Sequence, residues 1–250
     1  MKTNRSTVDG RPIRFHIGRS LVTMNNIQLV VFDIAGTTVS DKGEIAVAFA
    51  DAFKKHGYDM DVAEVNAVMG FRKKDAIKAL LLKFYPDRED PDETIEKIHD
   101  AFLQNIISFY QSDGEIQPLP YAEETFKSLR QKGIKVALNT GFTKAITDVI
   151  MFRLSWDKNI MVDYIISSDE VPQGRPHPFM IRSIMNALGI LEANQVAKVG
   201  DTQVDVQEGR NAGCGLVVSV TTGAYTRQQL ESYHPDHVID SLRELPALIH

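Results

Sequence analysis

The sequence of 250 residues contains a single cysteine, Cys214, and this scarcity excludes an intrachain disulfide. A zinc site made of several thiolates cannot be built from one thiol either. No apolar run reaches the roughly 20 residues of a membrane-spanning helix, and the first residues lack the apolar segment of a secretory signal. We therefore expect no membrane association and a location in the reducing cytoplasm.

A surplus of basic residues is also missing, since 28 lysines and arginines face 33 aspartates and glutamates, for a formal charge of -5. This balance argues against a nucleic-acid partner, although a small anion can still bind in a local positive pocket. The sequence has no internal repeat, no low-complexity segment and no G-x-G-x-x-G fingerprint. Its length and its 43% share of hydrophobic residues fit one α/β core with one accessory module.

Residues 1–23 differ from the rest of the chain because they carry five basic residues against one acid, Asp9, without clear periodicity. A second methionine, Met24, stands just before the first predicted strand. We interpret residues 1–23 as an N-terminal extension, either a tag or a flexible arm, and assign it no function.

The hydrophobic pattern predicts an all-helical segment between the first two strands. Residues 27–32 are apolar and β-branched, as in a strand buried on both faces, and the next strand is expected at 134–138. Between them apolar residues recur at helical spacing, and no stretch alternates as a strand does. We therefore predict a helical cap over residues 41–112, inserted after the first strand of a core that comprises residues 24–40 and 113–250.

After residue 120, helices and strands are predicted to alternate strictly. The helices are expected near 121–132, 143–154, 177–188, 203–212 and 241–249, and the strands near 134–138, 163–167, 196–199, 215–220 and 237–239. This alternation predicts an α/β fold with a doubly wound parallel sheet. In such sheets ligands bind beyond the carboxyl ends of the strands, where the strand order reverses.

Polar residues follow several of the predicted strands. Asp33 ends the first strand and is followed at once by a Gly/Thr turn. The other groups expected at this edge of the sheet are Asn139, Thr140, Gly141, Arg175, Asp201, Thr202 and Asp205. A carboxylate nucleophile, a hydroxyl beside a glycine amide, a fixed cation and a carboxylate pair together predict a phosphoryl-transfer site.

Each group in this set has a chemical role. Asp33 would attack phosphorus and form an aspartyl phosphate, which divides one difficult displacement into two easier ones. Mg²⁺ held by Asp33, Asp201 and a backbone carbonyl would screen the two anions from each other. Thr140 and the amide of Gly141 can hold the phosphoryl oxygens, while Arg175 balances charge and fixes the rotamer of Asp33.

The residue two positions after Asp33 is Ala35, where enzymes of this kind usually carry a second aspartate that protonates the leaving group. Without that acid, either the leaving group needs no proton or another residue supplies it.

The motifs D-x-A-G-T-T, N-T-G, G-R-P and V-G-D-T-x-x-D occur in an order and spacing that resemble the haloacid dehalogenase superfamily of hydrolases, and within it the phosphonatase branch. Ala35 and Arg175 match residues typical of that branch. The resemblance implies that Asp33 is the nucleophile and that the Ala35 carbonyl and Asp201 join it on Mg²⁺. It also implies that Asp205 supports the metal site without binding the ion itself.

The phosphonatase branch cleaves the carbon–phosphorus bond of phosphonoacetaldehyde with a cap lysine that forms a Schiff base. Its M-G-x-x-K-x-D segment resembles residues 69–75 here, which places Lys73 at the imine-forming position and Met69 beside the substrate. An iminium accepts the electrons of the breaking bond, so no acid would be needed, which would explain Ala35. Lys73 is expected in the first turn of a helix, where the dipole, Arg72 and Lys74 would disfavour its charged form.

Three departures from the branch concern proton transfer. Ala76 stands where a histidine is usual, Phe142 replaces a tyrosine, and Gly43 replaces a cysteine. A phosphatase for a small phosphomonoester, similar to phosphoglycolate phosphatases, is therefore the alternative activity, and a non-catalytic phosphate-binding module is a third. The resemblance also suggests a homodimer formed through the cap.

Simpler roles remain open for most of these residues. Asp201 and Asp205 can cap the helix that begins near residue 204, and Thr140 can close a turn. Lys73 can be a solvated helix charge, Arg175 can pair with a surface acid, and Met69 can pack within the cap.

Overall fold

The computed structural model describes residues 26–87, 91–112, 116–156 and 160–249. The predicted N-terminal extension, residues 1–23, lies outside these residues. Among the helices described, none is both long and apolar enough to cross a membrane.

Six strands of the described chain form one parallel sheet in the order β3-β2-β1-β4-β5-β6. Their bounds are β1 Leu29–Phe32, β2 Lys135–Thr140, β3 Tyr164–Ser167, β4 Val196–Gly200, β5 Leu216–Val220 and β6 His237–Ile239. Every residue of β1 is buried, and Val30 pairs with Val136 on one side and Ala197 on the other. The apolar, β-branched sequence of β1 therefore reflects its central position, covered on both faces.

The α-helices alternate with the strands of the core and also form the insertion. They are α1 Glu44–Lys55, α2 Val62–Asn66, α3 Lys73–Phe84, α4 Pro91–Gln111, α5 Ala122–Gln131, α6 Lys144–Leu154, α7 Phe179–Leu188, α8 Gln203–Ala212 and α9 Arg227–Ser232. The predicted doubly wound parallel sheet, with an all-helical segment after the first strand, is confirmed. The exact limits of the core and cap stay a prediction.

Two elements near the C-terminus differ from the prediction. The helix expected at 241–249 is a 3₁₀ helix over Leu242–Ala247, and it contains Pro246, which cannot donate a backbone hydrogen bond. The short helix α9 was not predicted, although Thr226 and Gln229 form a capping box at its start.

The helical insertion comprises α1 to α4 and lies between β1 and α5. Its interior is rich in aromatic residues: Phe49 packs edge-to-face on Phe53 and on Phe102. These rings belong to a hydrophobic cluster that also contains residues of the central strands, such as Phe32 and Leu138. A Cβ at Gly70 would lie 2.5 Å from the hydroxyl of Thr202, two residues after β4, so the insertion packs at the carboxyl edge of the strands.

Candidate active site

The candidate site lies where the strand order reverses, because β1 has β2 on one side and β4 on the other. Asp33 follows β1, Thr140 ends β2, and Asp201 follows β4. All three side chains are buried, and all three line one cavity together with Lys73. The strand-end residues named from the sequence thus meet at one place.

The turn after β1 is shaped by close packing against Asp201. Gly36 adopts a positive φ of 79°, and a Cβ at this position would lie 2.7 Å from Oδ2 of Asp201. Thr37 donates a hydrogen bond of 3.1 Å to the other oxygen of Asp201, and the amide of Ala224 donates one of 2.8 Å to Oδ2. This turn therefore needs glycine at position 36, because of the positive φ and the close approach of Asp201. It needs a hydroxyl at position 37 to donate to the same carboxylate.

Arg175 lies beneath Asp33 and is fully enclosed by polar partners. Its Nη1 is 2.6 Å from Oδ1 of Asp33 and 3.1 Å from Oδ1 of Asp205, in ion pairs that lack the alignment of hydrogen bonds. Its Nη2 donates to the carbonyl and side-chain oxygens of Asn139, and its Nε donates to Glu208. Arg175 is 1% exposed, so it is a buried structural cation rather than the partner of a surface acid.

Sequence reasoning missed two members of this network, Lys198 and Glu208. Lys198 lies in the middle of β4, and its Nζ is 2.9 Å from Asp205 and 2.7 Å from Oδ1 of Asn139. Glu208 lies on α8 and accepts two hydrogen bonds of 2.9 Å from Asn139. A lysine inside the buried run V-A-K-V-G needs an acidic partner, and this signal could have found the pair.

Among the described residues, four buried carboxylates (Asp33, Asp201, Asp205 and Glu208) lie near three buried cations, which are Arg175 and Lys198 within the network and Lys73 on the opposite side of the cavity. Burial raises the pKa of Asp201 well above its usual value, and the nearby Asp33 and Asp205 carboxylates raise it further. Burial likewise raises the pKa of Asp33, although Arg175 opposes the shift. The cluster therefore holds more negative charge than its own cations neutralise.

Asp205 differs from Asp33 and Asp201 in the direction of its pKa shift. Burial alone would raise its pKa, but Arg175 and Lys198 lower it below the usual value. Its second oxygen accepts a hydrogen bond of 2.5 Å from the Thr202 hydroxyl, in a capping box at the start of α8. Asp205 therefore both caps the helix and has all its oxygens engaged by protein groups.

One oxygen from each of Asp33, Asp201 and Asp205 lies within 4.8 Å of the others, which is the spacing of a possible cation site. Ala35 lines the same cavity. Mg²⁺ prefers oxygen ligands and would remove the excess negative charge, so these residues fit the ion. Asp33 and Asp201 line the cavity, whereas Asp205 is not part of its described lining and is already paired with both Arg175 and Lys198, so Asp33 and Asp201 are the better candidates for direct ligands.

The residues at the end of β2 line the cavity where the core meets the insertion. The Thr140 hydroxyl accepts a hydrogen bond of 3.1 Å from the amide of Phe142. A Cβ at Gly141 would lie 2.4 Å from the carbonyl oxygen of Phe71, so only glycine permits this approach of the insertion. Thr140 does shape a turn, as the simpler interpretation held, and it also lines the cavity.

Lys73 begins α3 and points into the same cavity, with only 4% of its surface exposed. Its Nζ is 5.6, 6.0 and 5.4 Å from the ring centroids of Phe49, Phe102 and Phe142. The Met69 sulfur lies 4.0 Å away. Within the described chain Lys73 forms no ion pair with a carboxylate, so it is not a solvated surface charge.

Burial lowers the pKa of Lys73 to about 8, against the opposing pull of Asp33 and Asp41. The cation that assists this shift is Arg175, whereas the sequence had pointed to the neighbours of Lys73. Arg72 instead donates to the carbonyl of Pro172, and Lys74 forms an exposed ion pair with Glu96. An amine in this state is neutral in an appreciable fraction of molecules near neutral pH.

The residues of the candidate site, with one exception, fall within a region that is similar to a known protein family. The model of the haloacid dehalogenase-like hydrolases matches residues 27–213, which include the whole candidate site except Ala224. The chain belongs to this family. It is therefore a hydrolase with an α/β core of this type.

Individual relatives are also similar to the chain. Phosphonoacetaldehyde hydrolase of Bacillus cereus is 31% identical over 82% of this chain and 81% of its own length. The crystal structure of a phosphonoacetaldehyde hydrolase-like protein from Oleispira antarctica has a TM-score of 0.75 at 24% identity, covering 90% of this chain and 91% of that one. A predicted phosphoglycolate phosphatase from Haemophilus somnus has a TM-score of 0.71 at 18% identity, covering 90% and 99%. These two structures share the fold.

Proposed function

We propose that the protein is a Mg²⁺-dependent phosphonatase that hydrolyses the carbon–phosphorus bond of phosphonoacetaldehyde or a closely related carbonyl phosphonate. Asp33 would form the aspartyl phosphate and Lys73 the Schiff base. The 31% identity to the Bacillus cereus phosphonoacetaldehyde hydrolase supports this choice of substrate. A cytoplasmic location and a cap-mediated homodimer remain predictions.

The observation that carries the proposal is the state of Lys73. Lys73 is buried without a carboxylate partner among the described residues, which disfavours its charged form, and a residue so perturbed within a cavity is a candidate for a functional role. Its pKa of about 8 allows nucleophilic attack on an aldehyde near neutral pH. The cavity places this amine and the Asp33 carboxylate around the same small volume.

The buried polar network around Arg175 would fix the position of the Asp33 carboxylate for attack on phosphorus. Arg175 holds Asp33 by an ion pair of 2.6 Å, Asn139 and Glu208 accept hydrogen bonds from Arg175, and Lys198 in turn donates to Asn139. The Thr140 hydroxyl and the Gly141 amide lie on the same wall and would bind the phosphoryl oxygens. Fixed donors of this kind stabilise developing charge without reorganising during the reaction.

Asp33 and Asp201 would hold Mg²⁺, with the Ala35 carbonyl as a further ligand and Asp205 behind them. When bound, the ion would neutralise charge on the phosphoryl oxygens and on the carboxylates. The excess of buried carboxylates over cations supports this assignment.

A phosphatase acting on a small phosphomonoester is the second candidate. The observation in its favour is that Ala76 and Phe142 occupy the positions of a histidine and a tyrosine associated with imine chemistry. Such an enzyme would use Asp33 and Mg²⁺ in the same way, but Lys73 would have no covalent role.

Incubation with phosphonoacetaldehyde and borohydride tests the proposal. We expect a stable mass increase on Lys73, located by peptide mass spectrometry, together with phosphate release. Lys74 is the matched control because it is adjacent, exposed and paired with Glu96. An unlabelled Lys73 alongside rapid turnover of phosphate esters would establish the phosphatase instead.

A further inference from the structure

The cavity contains an acid that the roles described above leave unused. Four of the residues that line it have titratable side chains: Asp33, Asp41, Lys73 and Asp201. Asp33 and Asp201 belong to the proposed metal site, and Lys73 is the proposed nucleophile toward the aldehyde. Asp41 is therefore the one carboxyl of the described lining that is available for proton transfer.

Asp41 is held at the start of α1 by the backbone. Its Oδ1 accepts hydrogen bonds from the amides of Gly43, at 3.0 Å, and Ile45, at 3.5 Å. Gly43 has a φ of 101°, a conformation that favours glycine. The glycine that replaces the usual cysteine thus belongs to a turn that directs the Asp41 carboxyl toward the cavity.

The surroundings of Asp41 favour a retained proton. Burial raises its pKa, the two amides oppose the shift, and the adjacent Glu44 adds to it. The other titratable groups facing Asp41 are Lys73 from α3 and Tyr110 from α4. Burial, Asp41 and Glu44 all raise the pKa of Tyr110, so this phenol does not compete as a base near neutral pH.

We propose that Asp41 is the acid that protonates the departing carbonyl oxygen when Lys73 forms the imine. This inference rests on the proposed phosphonatase function. The Lys73 amine adds to the aldehyde carbon, and one of its protons passes to the oxygen, which gives a neutral carbinolamine. The C–O bond then breaks as the Asp41 carboxyl donates its proton, which yields water, the Lys73 iminium and the Asp41 carboxylate. The new carboxylate balances the new cation, and the reverse transfer serves imine hydrolysis.

The test uses Asp33→Asn as the parent, so that the imine forms without later phosphoryl transfer. The parent and its Asp41→Asn and Asp41→Glu derivatives are mixed with phosphonoacetaldehyde and Mg²⁺ at pH 6.5 to 9.5. Each reaction is stopped after a set time by excess borohydride at one fixed pH, and the label on Lys73 is quantified. Asparagine keeps the Oδ1 acceptor for Gly43 and Ile45, and circular dichroism with thermal melting verifies folding.

We expect Asp41→Asn to slow imine formation by about 10²-fold, and Asp41→Glu to restore part of the rate. In the parent the rate should fall at high pH, because Lys73 is then already neutral and further deprotonation removes only the Asp41 proton. In Asp41→Asn the residual rate should instead rise with pH and level off once Lys73 is neutral, at a lower pH than in the wild type because Asp33 and Asp41 both raise the pKa of Lys73. Equal rates and profiles in the folded variants would overturn the role of Asp41. An unlabelled Lys73 in both the wild type and the parent would overturn the proposed function itself.

Discussion

The two walls of the candidate site treat charge in opposite ways. On the core side, Arg175 and Lys198 are completely buried and each contacts several carboxylate or amide oxygens. On the insertion side, Lys73 is also buried and lies among apolar groups, which are Phe49, Phe102 and the Met69 sulfur of the insertion together with Phe142 of the core. We call the side formed by Asp33, Arg175, Lys198 and Asp201 the core wall, and the side formed by Lys73 and its apolar neighbours the insertion wall. The core wall holds its cations in ion pairs, whereas the insertion wall lowers the pKa of Lys73.

This contrast separates two chemical tasks. A saturated network stabilises ionised groups and prevents them from moving, which suits the attack of Asp33 on phosphorus. An apolar pocket favours a neutral amine, which suits addition to a carbonyl. If the contrast is functional, each wall can be disabled while the other continues to work.

The largest effect is expected from Asp33→Asn. We expect phosphate release to fall by at least about 10⁴-fold, because the nucleophile is lost while the surrounding network remains. Borohydride should still label Lys73, since imine formation depends on the other wall. Phosphate assays and peptide mass spectrometry on the same sample measure both results. Loss of the label in a correctly folded variant would show that the two walls do not act separately.

Lys198→Met tests whether the ion pairs of the core wall stabilise the folded protein. Removing this cation leaves Asp205 and Glu208 to share Arg175, and breaking a buried ion pair from one side costs about 3–5 kcal/mol of unfolding free energy. Denaturant unfolding followed by circular dichroism measures the loss. Lys73→Met is the matched control, because it removes a buried lysine that has no carboxylate partner among the described residues, and it should not destabilise. Equal losses in both variants would contradict the contrast.

The pH dependence of the same pair sharpens the comparison. The pKa of Lys73 is about 8 in the folded protein and 10.5 in the reference state, so folding penalises the protonated amine. The penalty is complete below pH 8 and disappears as pH rises to 10.5, and it amounts to about 3 kcal/mol. The stability of the wild type relative to Lys73→Met should therefore increase between pH 8 and pH 10.5. A constant difference across this range would mean that the pKa of Lys73 is not lowered by folding.

The sequence predicted the sheet well because β1 and its neighbours are buried on both faces and separated by regular helices. The sequence also predicted that four site residues lie close together, because the carboxyl ends of parallel strands meet at one edge of the sheet. These residues are Asp33, Thr140, Arg175 and Asp201. Lys198 and Glu208 were missed because they lie within a strand and a helix and not at a strand end, although a lysine inside the apolar run V-A-K-V-G indicates that an acidic partner is needed. Asp41 was missed because it belongs to an irregular turn before α1.

The smallest effect concerns one of the hydrogen bonds that join the insertion to the core. The Tyr225 hydroxyl, from the core, donates a hydrogen bond of 3.1 Å to the carbonyl of Ala67 in the insertion. Tyr225→Phe should remove this hydrogen bond, worth about 1 kcal/mol, and raise the KM for the substrate by about fivefold, with kcat nearly unchanged, because the insertion is then held less firmly against the core. Tyr233→Phe is the control, since its hydroxyl has no hydrogen bond within the described residues. A fall in kcat without a change in KM would instead assign Tyr225 to the reaction itself, and the two walls would then share a residue.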